Sequence, residues 1–94
     1  MTNTGSGGQV RLKDVTFEYV YILHCNNGKT YVGHTADVQE RLNRHTKGYV
    51  PATKNIRPVS LLTYLAFTDK YKAIEFEKYL KSGSGRAFLK KRLI

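Results

Sequence analysis

Ninety-four residues are enough for one small domain, and a chain of that size buries only about two-thirds of its unfolded surface. Hydrophobic residues make up 40% of it and charged residues 24%, a globular rather than a disordered balance, with no apolar run near the ~20 residues of a membrane span and no signal peptide. Sixteen Lys/Arg against seven Asp/Glu give a net charge of +9, which points to a polyanionic partner, nucleic acid first and an anionic membrane surface second.

The single cysteine, Cys25, excludes an intrachain disulfide and a cysteine-based zinc cluster, and it suits a reducing cytoplasm. Residues 1–15 open with Gly, Ser, Thr and Asn and read as a flexible N-terminal tail, with the domain over 16–94. Residues 17–23 are rich in aromatic and β-branched side chains and predict a strand. On it Phe17, Tyr19, Tyr21 and Leu23 share one face; Glu18, Val20 and Ile22 share the other. Asn27-Gly28 marks a hairpin turn, and 30–33 is the return strand.

Asp37 with Glu40 three residues on predicts a capping-box helix start. Val38, Leu42 and His45 then fall at helical spacing on one face, and Gly48 is the stop. Both prolines, Pro51 and Pro58, lie in 49–58, which reads as a loop. Residues 59–67 form a third strand. Thr68 or Asp69 caps a helix running to about Ser82, Gly83 and Gly85 break it, and a last basic helix covers 86–93. The predicted fold is α+β: a small three-stranded antiparallel sheet flanked by helices, in the order β-β-α-β-α-α.

Five positions could carry chemistry. Tyrosine favours strands, so Tyr21 and Tyr31 on one hairpin are either packing or a site. Arg41 and His45, four apart, leave one side of the first helix. They make either a solvated edge or a phosphate-binding pair, a role that suits the planar guanidinium fork. Glu77 lies between Ala73 and Leu80 on the packed side of the second helix. A carboxylate facing inward needs a partner, either Lys81 or a neighbouring helix, or a divalent ion completed by water and phosphate oxygens.

Taken together, Tyr19-Val20-Tyr21, Tyr31-Val32-Gly33, Arg41, His45 and Glu77 resemble the motif series of the GIY-YIG nucleases over about residues 17–94. The similarity is greatest to short stand-alone members that share a Glu-Lys-Tyr-Leu-Lys-Ser-Gly stretch, here 77–83. Tyr19 replaces the name-giving glycine, Val20 and Val32 replace isoleucines, and His34 follows the second motif. The resemblance implies an endonuclease that hydrolyses DNA phosphodiester bonds with one Mg²⁺ or Mn²⁺ held by Glu77. Arg41 would grip a phosphate oxygen, Tyr21 or Tyr31 would orient or deprotonate water, and His45 would contact phosphate or support the base. A monomer without a membrane partner and without a second domain for target choice is expected.

The wider substrate surface is expected at Arg44, Lys47, Lys54 and Arg57, and at Arg86, Lys90, Lys91 and Arg92. Eight Lys/Arg stand against two Glu over 70–94, and such residues position a phosphate backbone without reading bases. A non-catalytic nucleic-acid-binding module on the same scaffold, or an adaptor for protein or membrane surfaces, is the alternative. DNA structure, RNA cleavage and pathway (repair, recombination, uptake control or attack on foreign DNA) stay open.

Side-chain alternation adds a geometric condition. The two phenols share a face only if the hairpin loop has an odd number of residues. A three-residue loop, Asn26-Asn27-Gly28, pairs Leu23 with Tyr31 and puts Gly28 at a left-handed bulge position.

Overall fold

The computed structural model describes residues 9–94. Residues 1–8 of the expected tail lie outside the described residues; Leu12–Asp14 makes one exposed 3₁₀ turn. Strands β1 (Glu18–Cys25), β2 (Thr30–Thr35) and β3 (Val59–Phe67) and helices α1 (Val38–Thr46), α2 (Lys70–Leu80) and α3 (Gly83–Phe88) follow in chain order. The last helix continues as a π-type turn, Leu89–Leu93. The sheet is antiparallel in the order β2-β1-β3, so the fold is the α+β arrangement expected.

The hairpin satisfies the odd-loop condition. Leu23 pairs with Tyr31 and Tyr21 with Gly33, while Cys25 and Lys29 are joined by a 2.9 Å backbone bond across Asn26-Asn27-Gly28. Gly28 carries the turn at φ +84°, a conformation that costs other residues steric strain. Tyr21 and Tyr31 therefore leave the same face.

Central strand β1 is buried on both sides. Val20, Ile22 and Val32 pack with Ala73, Leu80 and Leu89 on one face, under α2, α3 and the terminal turn. Each large aliphatic side chain so buried contributes about 1.5–3 kcal/mol of transfer free energy. Tyr21, Leu23 and Cys25 are buried on the other face, which α1 and the 49–58 segment cover. Burial pushes the Cys25 thiol pKa up. Opposite Ile22 and Leu23, β3 carries one extra residue, Leu62, as a bulge.

The helix starts show which local signals govern. The Asp37 carboxylate accepts from Glu40 N–H at 3.0 Å, but the reciprocal half of the expected capping box is replaced. Asp37 N–H donates to the Thr35 hydroxyl at 3.1 Å, so the Glu40 side chain has no donor to reach for. Asp69 caps α2 by accepting from Tyr71 and Lys72 N–H. Helix α1 ends in a paired closure, with Gly48 N–H bonded to His45 carbonyl and Tyr49 N–H to Arg44 carbonyl.

Two expectations are corrected here. Helix α2 stops at Leu80, and Gly83 and Gly85 do not break a helix: they lie in the first turn of α3, capped by the Ser82 hydroxyl. Gly85 is needed for close approach, since a Cβ there would lie 1.6 Å from the Tyr79 carbonyl oxygen. The tight α2–α3 corner, which sequence spacing read as a stop, is a packing contact.

Substitution of the two glycines separates these roles. Gly85→Ala must force backbone apart and is expected to cost about 1–3 kcal/mol or more, read as a lower urea midpoint. Gly83→Ala meets nothing within 4 Å and is expected to be neutral or to stabilise by about 0.4–1 kcal/mol.

Candidate active site

The β1–β2 register delivers both phenols to the face covered by α1, and α1 delivers His45 between them. His45 is wholly buried. Its Nε2 lies 2.9 Å from Tyr21 Oη and its Nδ1 2.7 Å from the Thr53 hydroxyl. Two proton arrangements satisfy both bonds, with Tyr21 either donating to Nε2 or accepting from it. The rings of Tyr21, Tyr31 and His45 meet pairwise at centroid separations of 6.1, 5.6 and 5.1 Å, with His45 edge-on to both phenols.

This close set depends on Gly33. A Cβ at that position would stand 2.6 Å from Tyr21 Oη, so the phenol lies in the space the missing side chain leaves. Tyr19, in place of the family glycine, stands at the rim of the same face. It packs against Phe17 and, edge-on, against Tyr64, which pairs with Tyr21 across the strands.

Arg41 reaches the strand edge from α1. Its Nη1 lies 3.4 Å from the His34 carbonyl oxygen, a weak contact, and its Nε is buried with no acceptor among the described residues. An unsatisfied buried guanidinium donor is costly unless an anion completes it. An open pocket of about 350 Å³ adjoins it, lined by Glu40, Arg44, Tyr49, Val50 and Pro51.

Burial raises the Tyr21 phenol pKa well above its ordinary value, and a charge on Tyr31 would raise it further; nearby Arg41 draws it down without offsetting burial. Burial also lowers the His45 pKa, and the positive Arg41 lowers it more. His45 is therefore a neutral imidazole with one ring nitrogen free to accept.

Glu77 lies apart from this set. It sits on α2, across the sheet from the phenols, with 15% of its side chain exposed. Its Oε2 is 2.7 Å from Lys81 Nζ, the ordinary i,i+4 partner, and its Oε1 faces His34 Nε2 at 3.6 Å. Oε1 accepts no hydrogen bond among the described residues, so the carboxylate fits a divalent cation with one free oxygen. No three His, Cys, Asp or Glu side chains among the described residues converge as a metal cage. His34 joins the two halves: its carbonyl meets Arg41 on one side of β2 and its ring faces Glu77 on the other.

The basic residues fall into two groups. Arg44, Lys47, Lys54 and Arg57 are exposed on the α1 side. Arg57 is partly committed to structure, donating to the carbonyls of Lys54 and Thr46 at 2.9 and 3.0 Å. Arg86, Lys90, Lys91 and Arg92 are exposed on the α3 side, where Arg86 and Lys90 line a pocket with Lys29 at the hairpin tip. They do not form one stripe.

Three contacts are absent from the sequence reading: Thr53 as the His45 partner, Glu18 as the His34 partner, and the space above Gly33. Glu18 carried a signal, since it shares a strand face with Val20 and Ile22, and a carboxylate there needs a partner. Thr53 carried none.

The match to a GIY-YIG catalytic domain covers residues 17–92. A UPF0213 protein of Streptococcus agalactiae serotype V is 39% identical over 72 residues, 76% of this chain and 82% of that one. A UPF0213 protein of Staphylococcus saprophyticus is 34% identical over 73 residues, 77% of this chain and 89% of that one. The solution NMR structure of a UPF0213 protein from Bacillus halodurans superposes with a TM-score of 0.52 at 34% identity, covering 80% of this chain and 83% of that chain.

His45 also sets a pH dependence of stability. Its folded pKa is lowered, so the unfolded chain takes up a proton first, near pH 6.5. The stability held above that pH is therefore lost as pH falls from about 6.5 through the lower folded value. Urea midpoints measured from pH 7.5 to 5 are expected to fall, and His45→Gln, less stable throughout, is expected to show a shallower slope over that range.

Proposed function

Because the chain belongs to the GIY-YIG family, we propose that it is a divalent-metal-dependent endonuclease that hydrolyses phosphodiester bonds in DNA, working as a monomer on one strand at a time. The observation that carries this reading is the buried, acceptor-free Nε of Arg41 beside two phenols and a neutral imidazole. A phosphate oxygen brought against that donor would complete it.

The residues divide the work. Arg41 binds a non-bridging phosphate oxygen and stabilises the charge that builds on it. Tyr31 orients the attacking water. Tyr21 keeps its proton in the resting site, because burial raises its pKa, so a stored phenolate is not the base. Tyr21 and His45 are wholly buried, so their 2.9 Å bond holds the Tyr31 ring in place, and the proton of the attacking water leaves to solvent as its oxygen bonds to phosphorus. Thr53 satisfies the second ring nitrogen of His45 at 2.7 Å. The P–O3′ bond breaks, leaving a 5′-phosphate and a 3′ oxyanion that takes a proton from solvent water to become the 3′-hydroxyl. Mg²⁺ or Mn²⁺ at Glu77, when bound, supplies neutralising charge at phosphorus and at the departing oxygen. The two basic groups hold the backbone on either side of the cut.

A second reading, a DNA-binding module without turnover, is favoured by the Lys81–Glu77 pair, which already neutralises the carboxylate. A time course on labelled single-stranded, duplex and branched DNA with Mg²⁺, Mn²⁺ or chelator distinguishes them. Arg41→Ala is expected to lower kcat by about 10²–10³, and Glu77→Ala to leave only background cutting, both with an unchanged circular dichroism spectrum. Cleavage by Glu77→Ala at the parent rate overturns the mechanism.

DNA affinity is expected to fall linearly in log–log plots against salt, by a slope of about −0.9 per duplex phosphate neutralised. Charge removal at Arg44, Lys47, Lys90 or Lys91 is expected to flatten that slope. An affinity indifferent to salt argues against the assigned surface.

A further inference from the structure

His34 has no part in that mechanism, although its ring stands between two carboxylates at the β2 edge. Glu18 Oε2 lies 2.6 Å from His34 Nδ1. A carboxylate can only accept, so Nδ1 carries a proton, and in the neutral ring the lone pair then lies on Nε2, on the opposite side. Facing it at 3.6 Å is Glu77 Oε1. The other Glu77 oxygen is held by Lys81 at 2.7 Å.

Two acceptors thus point at each other across a gap held from both ends, by Glu18 behind the imidazole and by Lys81 behind the carboxylate. If a protonated imidazole simply paired with Glu77, Nε2–H would be drawn to about 2.7–3.2 Å of Oε1; the observed distance is longer. Two ligand bonds of about 2.1 Å each span at most about 4.2 Å, so one cation bridges the gap without backbone movement. A carboxylate behind the second nitrogen of a histidine is the usual support of a metal-bound imidazole.

We propose that His34 Nε2 is a second protein ligand to the ion at Glu77, oriented by Glu18, and that this imidazole biases the site toward transition ions over Mg²⁺, with Mn²⁺ as the observable probe. The proposal rests on the placing of the ion at Glu77. Magnesium keeps to oxygen ligands and parts reluctantly with its waters, whereas imidazole suits transition ions. Lys81 need not leave, since it and the ion use different oxygens of Glu77.

The test is Mn²⁺ binding to the full chain without DNA, followed by electron paramagnetic resonance. Loss of the free-ion signal gives affinity, and ¹⁴N modulation of the spin echo reports a nitrogen ligand. The parent is expected to show that modulation and His34→Gln to lose it, with affinity weakened at least tenfold. Glu18→Gln is expected to weaken affinity on the order of 10–100-fold. Bound Mn²⁺ without nitrogen modulation in the parent overturns the proposal, as does a parent that takes up no Mn²⁺. Glu77→Ala separates this from the underlying reading: full uptake by that variant removes the ion from Glu77 altogether, while uptake lost there without a nitrogen signal in the parent overturns His34 ligation alone.

Discussion

One buried hydrogen bond, from Tyr21 on the central strand to His45 on α1, joins the first helix to the sheet across 24 residues of sequence. Neither group reaches water, so losing either partner leaves a buried polar atom unsatisfied at a cost of about 1–3 kcal/mol. The bond exists because Gly33 leaves the space that the phenol occupies, and Thr53 satisfies the second ring nitrogen. The residues proposed for catalysis are thus also the core of one face of the domain. Stability and the proposed chemistry draw on the same contacts, and the same burial that raises the Tyr21 pKa lowers that of His45.

A three-stranded sheet divides so small a domain into two faces, and the candidate site has to cross it. It does so at β2, an edge strand. The phenols, His45 and Arg41 stand on the α1 face, and Glu77 and Glu18 on the α2 face. His34 belongs to both, by its carbonyl on one side and its ring on the other. A strand in the middle of the sheet would have neighbours in the way on both sides.

Much of this was legible in the sequence where one local rule decided the outcome. Alternation along the strands required an odd hairpin loop if Tyr21 and Tyr31 were to meet, and Leu23 indeed pairs with Tyr31. Helical spacing placed His45 with Val38 and Leu42, and paired Glu77 with Lys81. What spacing could not show were contacts decided by three-dimensional closeness. Gly83 and Gly85 looked like punctuation because glycine serves both as a helix stop and as a site of close approach, and only the neighbouring Tyr79 carbonyl distinguishes the two. The Glu18–His34 contact runs diagonally between strands, and Thr53 comes from a loop with no period. The basic residues gave a correct net sign, but their division between two faces depends on how α3 folds back against α2.

The odd-numbered hairpin loop has a consequence for how this domain can diverge. Insertion or deletion of one residue between Cys25 and Lys29, with pairing re-formed around the new turn, would invert every later side chain of β2. Tyr31 and Gly33 would then face α2, and Val32 and His34 would face α1. Length changes in pairs keep the parity, whereas single steps exchange the hydrophobic face for the face of the phenols. The tip of the hairpin is exposed and looks permissive, yet it can drift in length only by twos.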